Sequence, residues 1–472
     1  MLEGLEISEV KFSYVRLNDI FRIDSNYFQK IFLQQEQRVL KTNSNRLIDL
    51  GCDLKSFGAY SLNNYVEYLE EGVPFVRGIN LKNGRISFNN VIYISNEAHK
   101  LLWKSEVRPK TILLSMSGTI GDVAIASESL KYPINSNQDI AKISCDENLN
   151  PYYLYAFLSS YFGQNYLIRE ARGSVQQHVF LSQIENFQIP EFSADFYNVI
   201  ENTVLDADLS DAKSQQCYGD AEQTLLEAVG LADFKPSTQN TNIKTIAQSF
   251  GSSGRLDAEY YQPKYEAFES TVKSNKYGYT FIKNEYDHFN DVSRKLKSAY
   301  HYIEISDVNV SDGTNSPILI ETTELPANAK FEVKKGDLII SKVRPNRGAI
   351  TVIEEEFDNL IVSGAFTVLR EKPSSVFTKE VLKVLLRTPV YREWMLQFNV
   401  GTQYPVIRDE DILNLPIPKI DLTTQTNISQ LVQQSFSLKA QSEHLLNVAK
   451  RAVEIAIEQD EAAAMHFIVN SQ

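Results

Sequence analysis

Short apolar runs bounded by turn residues predict strands over residues 74–81, 111–115 and 122–126, and again over 302–310, 337–341 and 349–353. A longer stretch with helical spacing follows each set, residues 151–171 and 376–400. After each helical stretch comes a glycine–hydroxyl loop that leads to an Ile-Pro ending. The same order of elements appears twice, so the pattern predicts two mixed α/β globules, one in each half of the chain.

The residues themselves repeat as well. Residues 173–190 read GSVQQHVFLSQIENFQIP and residues 401–418 read GTQYPVIRDEDILNLPIP, aligned without a gap at an offset of 228. Gly173 matches Gly401, Ser174 matches Thr402, Ile184 matches Ile412, Asn186 matches Asn414, and Ile189-Pro190 matches Ile417-Pro418. Three weaker matches keep the same order: RIDSNYFQK from Arg22 with RLDAEYYQPK from Arg255, VRGINL from Val76 with ISDVNV from Ile305, and ILLSMSGTIGDVAIA from Ile112 with LIISKVRPNRGAITVI from Leu338. Four matches in order, with offsets drifting only from 233 to 226, mark a duplication.

A long polar–apolar segment follows each globule. In residues 422–459, Leu431, Leu438, Leu445 and Ala452 recur every seven residues, with Val432, Leu446 and Val453 beside them, a coiled-coil-like seam. Residues 194–231 keep the 228 offset, pairing Ile200 with Ile428, Val204 with Val432 and Leu225 with Val453. This first seam is poorer, with Asp211 and Cys217 at seam-like positions. Gly230 is placed to stop it, and residues 233–242, with Lys235-Pro236-Ser237, read as a linker. An ordinary surface helix packed on its own globule accounts for either segment alone. Two at equivalent places in a duplicated chain favour antiparallel pairing with each other, which predicts a rod with a globule at each end and pseudo-two-fold symmetry.

Composition narrows the class. The chain has 472 residues, 43% hydrophobic and 23% charged, enough for several cores. Cys52, Cys145 and Cys217 are far apart and odd in number, with no metal spacing and no disulfide framework, which predicts a reducing cytoplasm. The start carries Glu3, Glu6 and Glu9 in place of an apolar signal core, and no stretch approaches the ~20 apolar residues of a membrane span. A net charge of −13 argues against a simple DNA binder, because DNA affinity is largely phosphate neutralisation. The charge is uneven, however. Residues 191–230 carry nine acids against Lys213 alone, whereas residues 331–350 carry five bases (Lys334, Lys335, Lys342, Arg344, Arg347) against Glu332 and Asp337. A local basic loop on an acidic chain is compatible with DNA contact.

Catalytic motifs are weak. Asn150-Pro151-Tyr152-Tyr153 invites comparison with the (N/D)-P-P-(Y/F) motif of adenine methyltransferases, but the second proline is missing and a helix start explains it: Asn150 as N-cap, Pro151 in the first turn. No glycine-rich strand-to-helix turn with a following acid is present to hold a cofactor. The stretch from Ser249 to Gly254, SFGSSG, reads as a junction linker, Glu354-Glu355-Glu356 as a solvated turn, and the six histidines are scattered.

Two α/β units alternating with two long helices resemble the specificity subunits of type I restriction–modification systems. SGRLDAEYYQPKYEAF from Ser253 looks like the opening of a second recognition domain in that family, ILLSMSGTIGDVAIA is similar to its first-unit strand–turn–strand, and the Gly-Ser/Thr…Ile-Pro ending recurs. The resemblance covers the chain to about residue 460 and implies target-recognition domains at 1–193 and 233–420 (the latter with its linker), spacer and docking helices at 194–232 and 421–460, and a tail at 461–472. It implies a non-catalytic chain, without cofactor of its own, that reads a bipartite site on double-stranded DNA. Its partners are two methyltransferase (modification) subunits carrying S-adenosylmethionine, optionally joined by ATP-dependent restriction (translocase/nuclease) subunits, with no membrane role. The alternatives are a catalytic DNA adenine methyltransferase with divergent cofactor motifs, and a protein scaffold without a DNA role, which the acidity favours.

Base reading needs bidentate donors and acceptors on loops or helix ends. The turn from Ser341 to Gly348 offers Lys342, Arg344, Asn346 and Arg347, sharpened by Pro345 and Gly348. Its first-unit counterpart offers the hydroxyls of Ser115, Ser117 and Thr119. The glycine–hydroxyl loops add Ser174, Gln176, Gln177 and His178 after Gly173, and Thr402, Gln403 and Tyr404 after Gly401. Plain β-turns and helix C-caps account for the same residues. Asn135, Asn137, Gln138, Arg77 and Asn80 are weaker candidates, since amides on turns are commonly turn formers.

Overall fold

The computed structural model describes residues 8–16, 22–56, 66–88, 90–173, 177–239 and 241–471. The chain forms two units, one of residues 1–211 with 439–472 and the other of residues 212–438.

In the first unit, Cys52–Lys55, Ile140–Cys145, Ile112–Ser115 and Val123–Ile125 form an antiparallel sheet in that order. A second sheet runs Ile92–Ile94, Val73–Val76, Ile134–Ser136, Glu106–Val107, with its middle pair parallel. Ser44–Arg46 pairs with Gln188–Pro190, so the Ile-Pro ending is a strand. The second unit repeats this plan. Tyr286–Phe289, Phe366–Glu371, Leu338–Ser341 and Ile350–Val352 form the antiparallel sheet. Ile318–Glu321, Ala299–Ile303, Leu360–Ser363 and Ala329–Glu332 form the second sheet, again with a parallel middle pair. Tyr279–Phe281 pairs with Pro416–Pro418. The repeat in the residues is a repeat of strand order and direction.

The strands are shorter than the apolar patterns that predict them, because turns cut in. Asn80 accepts from the Arg77 amide at 3.1 Å and Asp307 accepts from the Glu304 amide at 2.7 Å, closing 3₁₀ turns just after Val73–Val76 and Ala299–Ile303. Each expected long helix is two: Pro151–Ser159 with Tyr161–Glu170, and Lys379–Arg387 with Pro389–Met395. Ser160 and Thr388 interrupt the chain in extended backbone, and each caps the second helix with its hydroxyl, accepting from Gly163 and Tyr391.

The cores are apolar and lie between sheet and helices. In the first unit Ile112, Leu114 and Ile143 join Tyr153, Phe157, Phe196, Ile200, Leu446 and Val453. In the second, Leu338, Ile340 and Val352 join Val381, Leu385, Leu225, Ile428 and Val432. Burying each such side chain contributes about 1.5–3 kcal/mol.

The long helices span Ala194–Ala228 and Leu422–Glu458. Gly230, at φ 73°, ends the first: the Leu231 amide reaches the Leu226 carbonyl at 2.8 Å, as in a Schellman turn. In the first unit Ser442 Oγ donates to the Ala207 carbonyl at 2.6 Å, and Lys439 pairs with Asp211 at 2.7 Å. In the second, Ser214 and Ser435 meet. Falling numbers on one helix meet rising numbers on the other, so the helices pack antiparallel within each unit. The buried face of the second helix includes Ile428, Val432, Ser435, Ser442, Leu445, Leu446, Ala449, Ala452 and Val453; Leu431 and Leu438 are only half-buried. The expected heptad seam holds at Leu445 and Ala452, with Val432, Leu446 and Val453 beside them, and departs from the buried face at Leu431 and Leu438, where Ser435 and Ser442 are covered instead.

Candidate nucleic-acid interface

In each unit, two segments far apart in sequence are pinned together. In the first, the strand Ile112–Ser115 runs into a turn whose Met116 carbonyl accepts from the Val179 amide at 2.9 Å, and Ser117 bridges His178. In the second, the strand Leu338–Ser341 runs into a turn whose Lys342 carbonyl accepts from the Ile407 amide at 3.0 Å, Val343 bridges Val406, and the Arg344 amide donates to Pro405 at 2.7 Å. The strand-end turn and the glycine loop thus share one surface in each unit.

Both loops need their glycines. Gly173 has φ 120°, in the region L residues avoid. A Cβ on Gly401 would lie 2.1 Å from the Tyr404 carbonyl oxygen.

On the second unit's surface Arg344, Asn346, Arg347, Thr402, Gln403 and Tyr404 are exposed. The Arg344 guanidinium lies 5.4 Å from the Tyr404 ring centroid, a cation–π arrangement. Arg344 adopts φ 49°, ψ 55°, left-handed backbone costing an L residue about 1–2 kcal/mol. The Pro405 bond holds it there, so strain is stored where the side chain is presented. Lys342 is differently placed: its ammonium sits 3.1 Å from Asp409, which also accepts from Thr367 Oγ1 at 2.6 Å. Lys342 ties the surface together from beneath.

On the first unit's surface Thr119 and Gln177 are exposed, and Ser117 and His178 are half-buried. Ser115 is fully buried; its hydroxyl donates to the Ser117 carbonyl at 3.1 Å and lies 3.3 Å from Thr119 Oγ1, shaping the turn from inside. Ser174 and Gln176 lie outside the described residues. A cleft of about 580 Å³ opens beside Gly173 and Gln177, lined also by Arg22, Asn26, Gln29 and Arg172.

The weaker candidates serve turns and packing. Asn135 is buried and bonded to Ser105 Oγ at 2.6 Å, Asn80 donates to the Ser87 carbonyl at 3.0 Å, Arg77 reaches the Asn90 carbonyl at 3.0 Å, and Asn137 donates to Asp139 at 2.9 Å. Gln138 is half-buried. Asn150 caps its helix, accepting from the Tyr152 and Tyr153 amides at 2.9 and 3.1 Å. Among the described residues no cluster of His, Cys, Asp and Glu could hold a metal ion, and no helix is long and apolar enough to cross a membrane.

The sequence pattern by itself gave no role to Arg22 and Arg255. Each forms a two-pronged pair with the aspartate two residues on, Asp24 or Asp257, and hydrogen bonding to the arginine holds both carboxyls below their ordinary range. The signal was available: R-(I/L)-D-x-x-Y is among the repeated segments.

One chemical character unites the surfaces. Each is an exposed polar rim on a rigid β-framework, planar guanidinium forks in the second unit and hydroxyls and an amide in the first. Such groups match phosphate and base edges.

Part of the chain is similar to known proteins. The family described as the type I restriction modification DNA specificity domain matches residues 9–190. The specificity subunit of type I restriction enzyme HindI from Haemophilus influenzae is 28% identical over 152 residues, 30% of this chain and 33% of that protein. The EcoBI specificity subunit from Escherichia coli is 25% identical over 123 residues, 26% of each chain. The match thus spans a third or less of either relative. Among solved structures, the type I restriction–modification S subunit from M. genitalium is 13% identical with a TM-score of 0.36, covering 91% of this chain and 95% of its own. The HsdS subunit from Thermoanaerobacter tengcongensis is 14% identical with a TM-score of 0.29, covering 89% and 97%. Residues 9–190, less than half of the chain, are thus similar to the type I restriction modification DNA specificity domain.

Proposed function

We propose that this chain is the DNA-recognition subunit of a type I restriction–modification complex. Residues 1–193 and 233–420 are its two target-recognition domains, each reading one half of a split sequence. Arg344, Asn346, Arg347, Thr402, Gln403 and Tyr404 line one reading surface, with Lys342 supporting it from beneath, and Ser117, Thr119 and Gln177 the other, with Ser115 supporting it from inside; Ser174 and Gln176 are further candidates for base contact. The long helices space the readers and dock two methyltransferase subunits, which bring S-adenosylmethionine and the adenine chemistry; restriction subunits join the same assembly in the cytoplasm. The observation that carries this reading is a strand-end turn bridged to the glycine-loop segment in each unit, Ser117 with His178 and Val343 with Val406, with different exposed side chains on each. Two readers of different sequences require that combination.

A chimera tests it. Residues 245–418 are replaced by the matching segment of a relative, and methylated sites are mapped with the partner subunits present. One half-sequence should change and the other persist. A change in both halves, or in neither, overturns the two-reader assignment. Methyl transfer from labelled S-adenosylmethionine by the purified chain alone would overturn the non-catalytic role.

A further inference from the structure

We propose that Arg22 and Arg255 are positioning residues, each holding the glycine loop of its own unit in the register that base reading needs; the proposal rests on the DNA-reading function above. In the first unit Arg22 pairs with Asp24 at 2.7 and 2.9 Å, donates from Nη1 to the Arg169 carbonyl at 2.9 Å, and lies over the Tyr27 ring at 4.5 Å. In the second, Arg255 pairs with Asp257 at 2.8 and 2.7 Å, donates from Nη2 to the Asn399 carbonyl at 2.9 Å, and lies over the Tyr260 ring at 4.7 Å.

The contact is returned. Arg169 Nε donates to the Tyr27 carbonyl at 3.0 Å, and Gln397 Nε2 donates to the Tyr260 carbonyl at 3.0 Å. Residues 169 and 397 are one repeat apart, so the returned bond is made at equivalent places with different donors, while the carbonyl held by Arg255 lies two residues further along the repeat than the one held by Arg22.

Its place in the chain gives it a function beyond packing. The clasped carbonyls lie at the ends of the helical segments, just before Gly173 and Gly401. In the second unit the path to the reading surface is continuous. Arg255 holds the Asn399 carbonyl, and Asn399 Oδ1 accepts from the Gly401 and Val406 amides at 2.8 and 3.0 Å. Val406 in turn bridges Val343, the neighbour of Arg344. The guanidinium is used in full for geometry: two prongs on the aspartate, one donor on the backbone, its face on an aromatic ring. A lysine ammonium cannot reproduce that.

The test uses the chain assembled with its methyltransferase subunits and three DNAs: the intact site, and the site with one or the other half scrambled. Arg22→Ala and Arg22→Lys should each lower discrimination of one half by about tenfold or more, the scale of one mismatched base pair, and leave the other half's discrimination unchanged. Arg255→Ala and Arg255→Lys should do the reverse. Asp24→Asn and Asp257→Asn, which keep side-chain size but lose the aiming charge, should follow their arginines and serve in place of any alanine variant that does not fold. Folded variants that keep both discriminations, that lose both equally, or that lysine restores would overturn the proposal, since rescue by lysine marks a phosphate contact. A wild-type complex that discriminates neither half would instead overturn the DNA-reading function itself.

Discussion

The Ser214 hydroxyl donates to the Ser435 carbonyl at 2.8 Å, and the Ser435 hydroxyl donates to the Ser214 carbonyl at 2.8 Å. Both residues are buried in the helix pair of the second unit. Small side chains at this point let the backbones approach until each hydroxyl spans to the opposite helix. Ser435→Ala should therefore cost only about 1 kcal/mol, the net worth of one hydrogen bond. Ser435→Leu should cost more, about 1–3 kcal/mol of overpacking in addition, because the helices must separate. Denaturant midpoints of the two variants check the order; a leucine variant as stable as the alanine variant would mean the close approach is unimportant.

Arg344 combines exposure with left-handed backbone. Arg344→Gly should relieve the strain and raise stability by about 1 kcal/mol while weakening DNA binding. If Arg344 and Arg347 each neutralise a phosphate, Arg344→Ala with Arg347→Ala should lower the salt dependence of binding by about one unit per arginine removed. If one of them reads a base instead, its removal should cost about 1–3 kcal/mol and relax one position of the site. Salt titrations of binding by the assembled complex separate the two. Unchanged affinity and methylation pattern in the double variant would remove this turn from the interface.

Lys142 lies inside the first unit, donating to Ser136 Oγ and to the Ile140 carbonyl, both at 3.1 Å, and burial pushes its ammonium from 10.5 down to about 7. Between those two values the unfolded chain holds a proton that the folded one has released, so this residue makes stability rise with pH across the window. Below pH about 7 both states are protonated and its contribution is flat. Lys142→Met should be more stable than the parent at pH 7 and should lose that rise. An unchanged slope in the methionine variant would show that Lys142 stays charged.

Seven residues added to each long helix lengthen each by about 10 Å and keep the seam near its phase. If the helices set the distance between half-sites, the preferred gap should grow by up to about three base pairs while both half-sequences persist. Mapping methylated sites for an active insertion variant measures this, and the original gap would show that the helices do not act as the ruler.

Much of this fold is local and could be read from the chain. The duplication, the strand–turn–strand segments, the Asn150 cap and the Gly230 stop depend on neighbours within a few residues, where propensity and turn chemistry decide. What depended on distant partners could not be read. Leu431 and Leu438 make a better apolar heptad than Ser435 and Ser442, yet the serines are buried, because which face is covered depends on what the opposite helix offers: the Ser214 and Ala207 carbonyls. The Pro151–Ser159 and Tyr161–Glu170 helices share one apolar pattern, and only the backbone turn at Ser160 divides them. Lys342 and Arg344 are neighbours in one basic run, but tertiary structure directs the first to Asp409 and the second outward. Periodicity and motif order thus determined the elements and their repetition. The tertiary structure decided which faces are buried, which charges are paired and which loops share a surface, since burial and pairing depend on groups that the linear order keeps far apart.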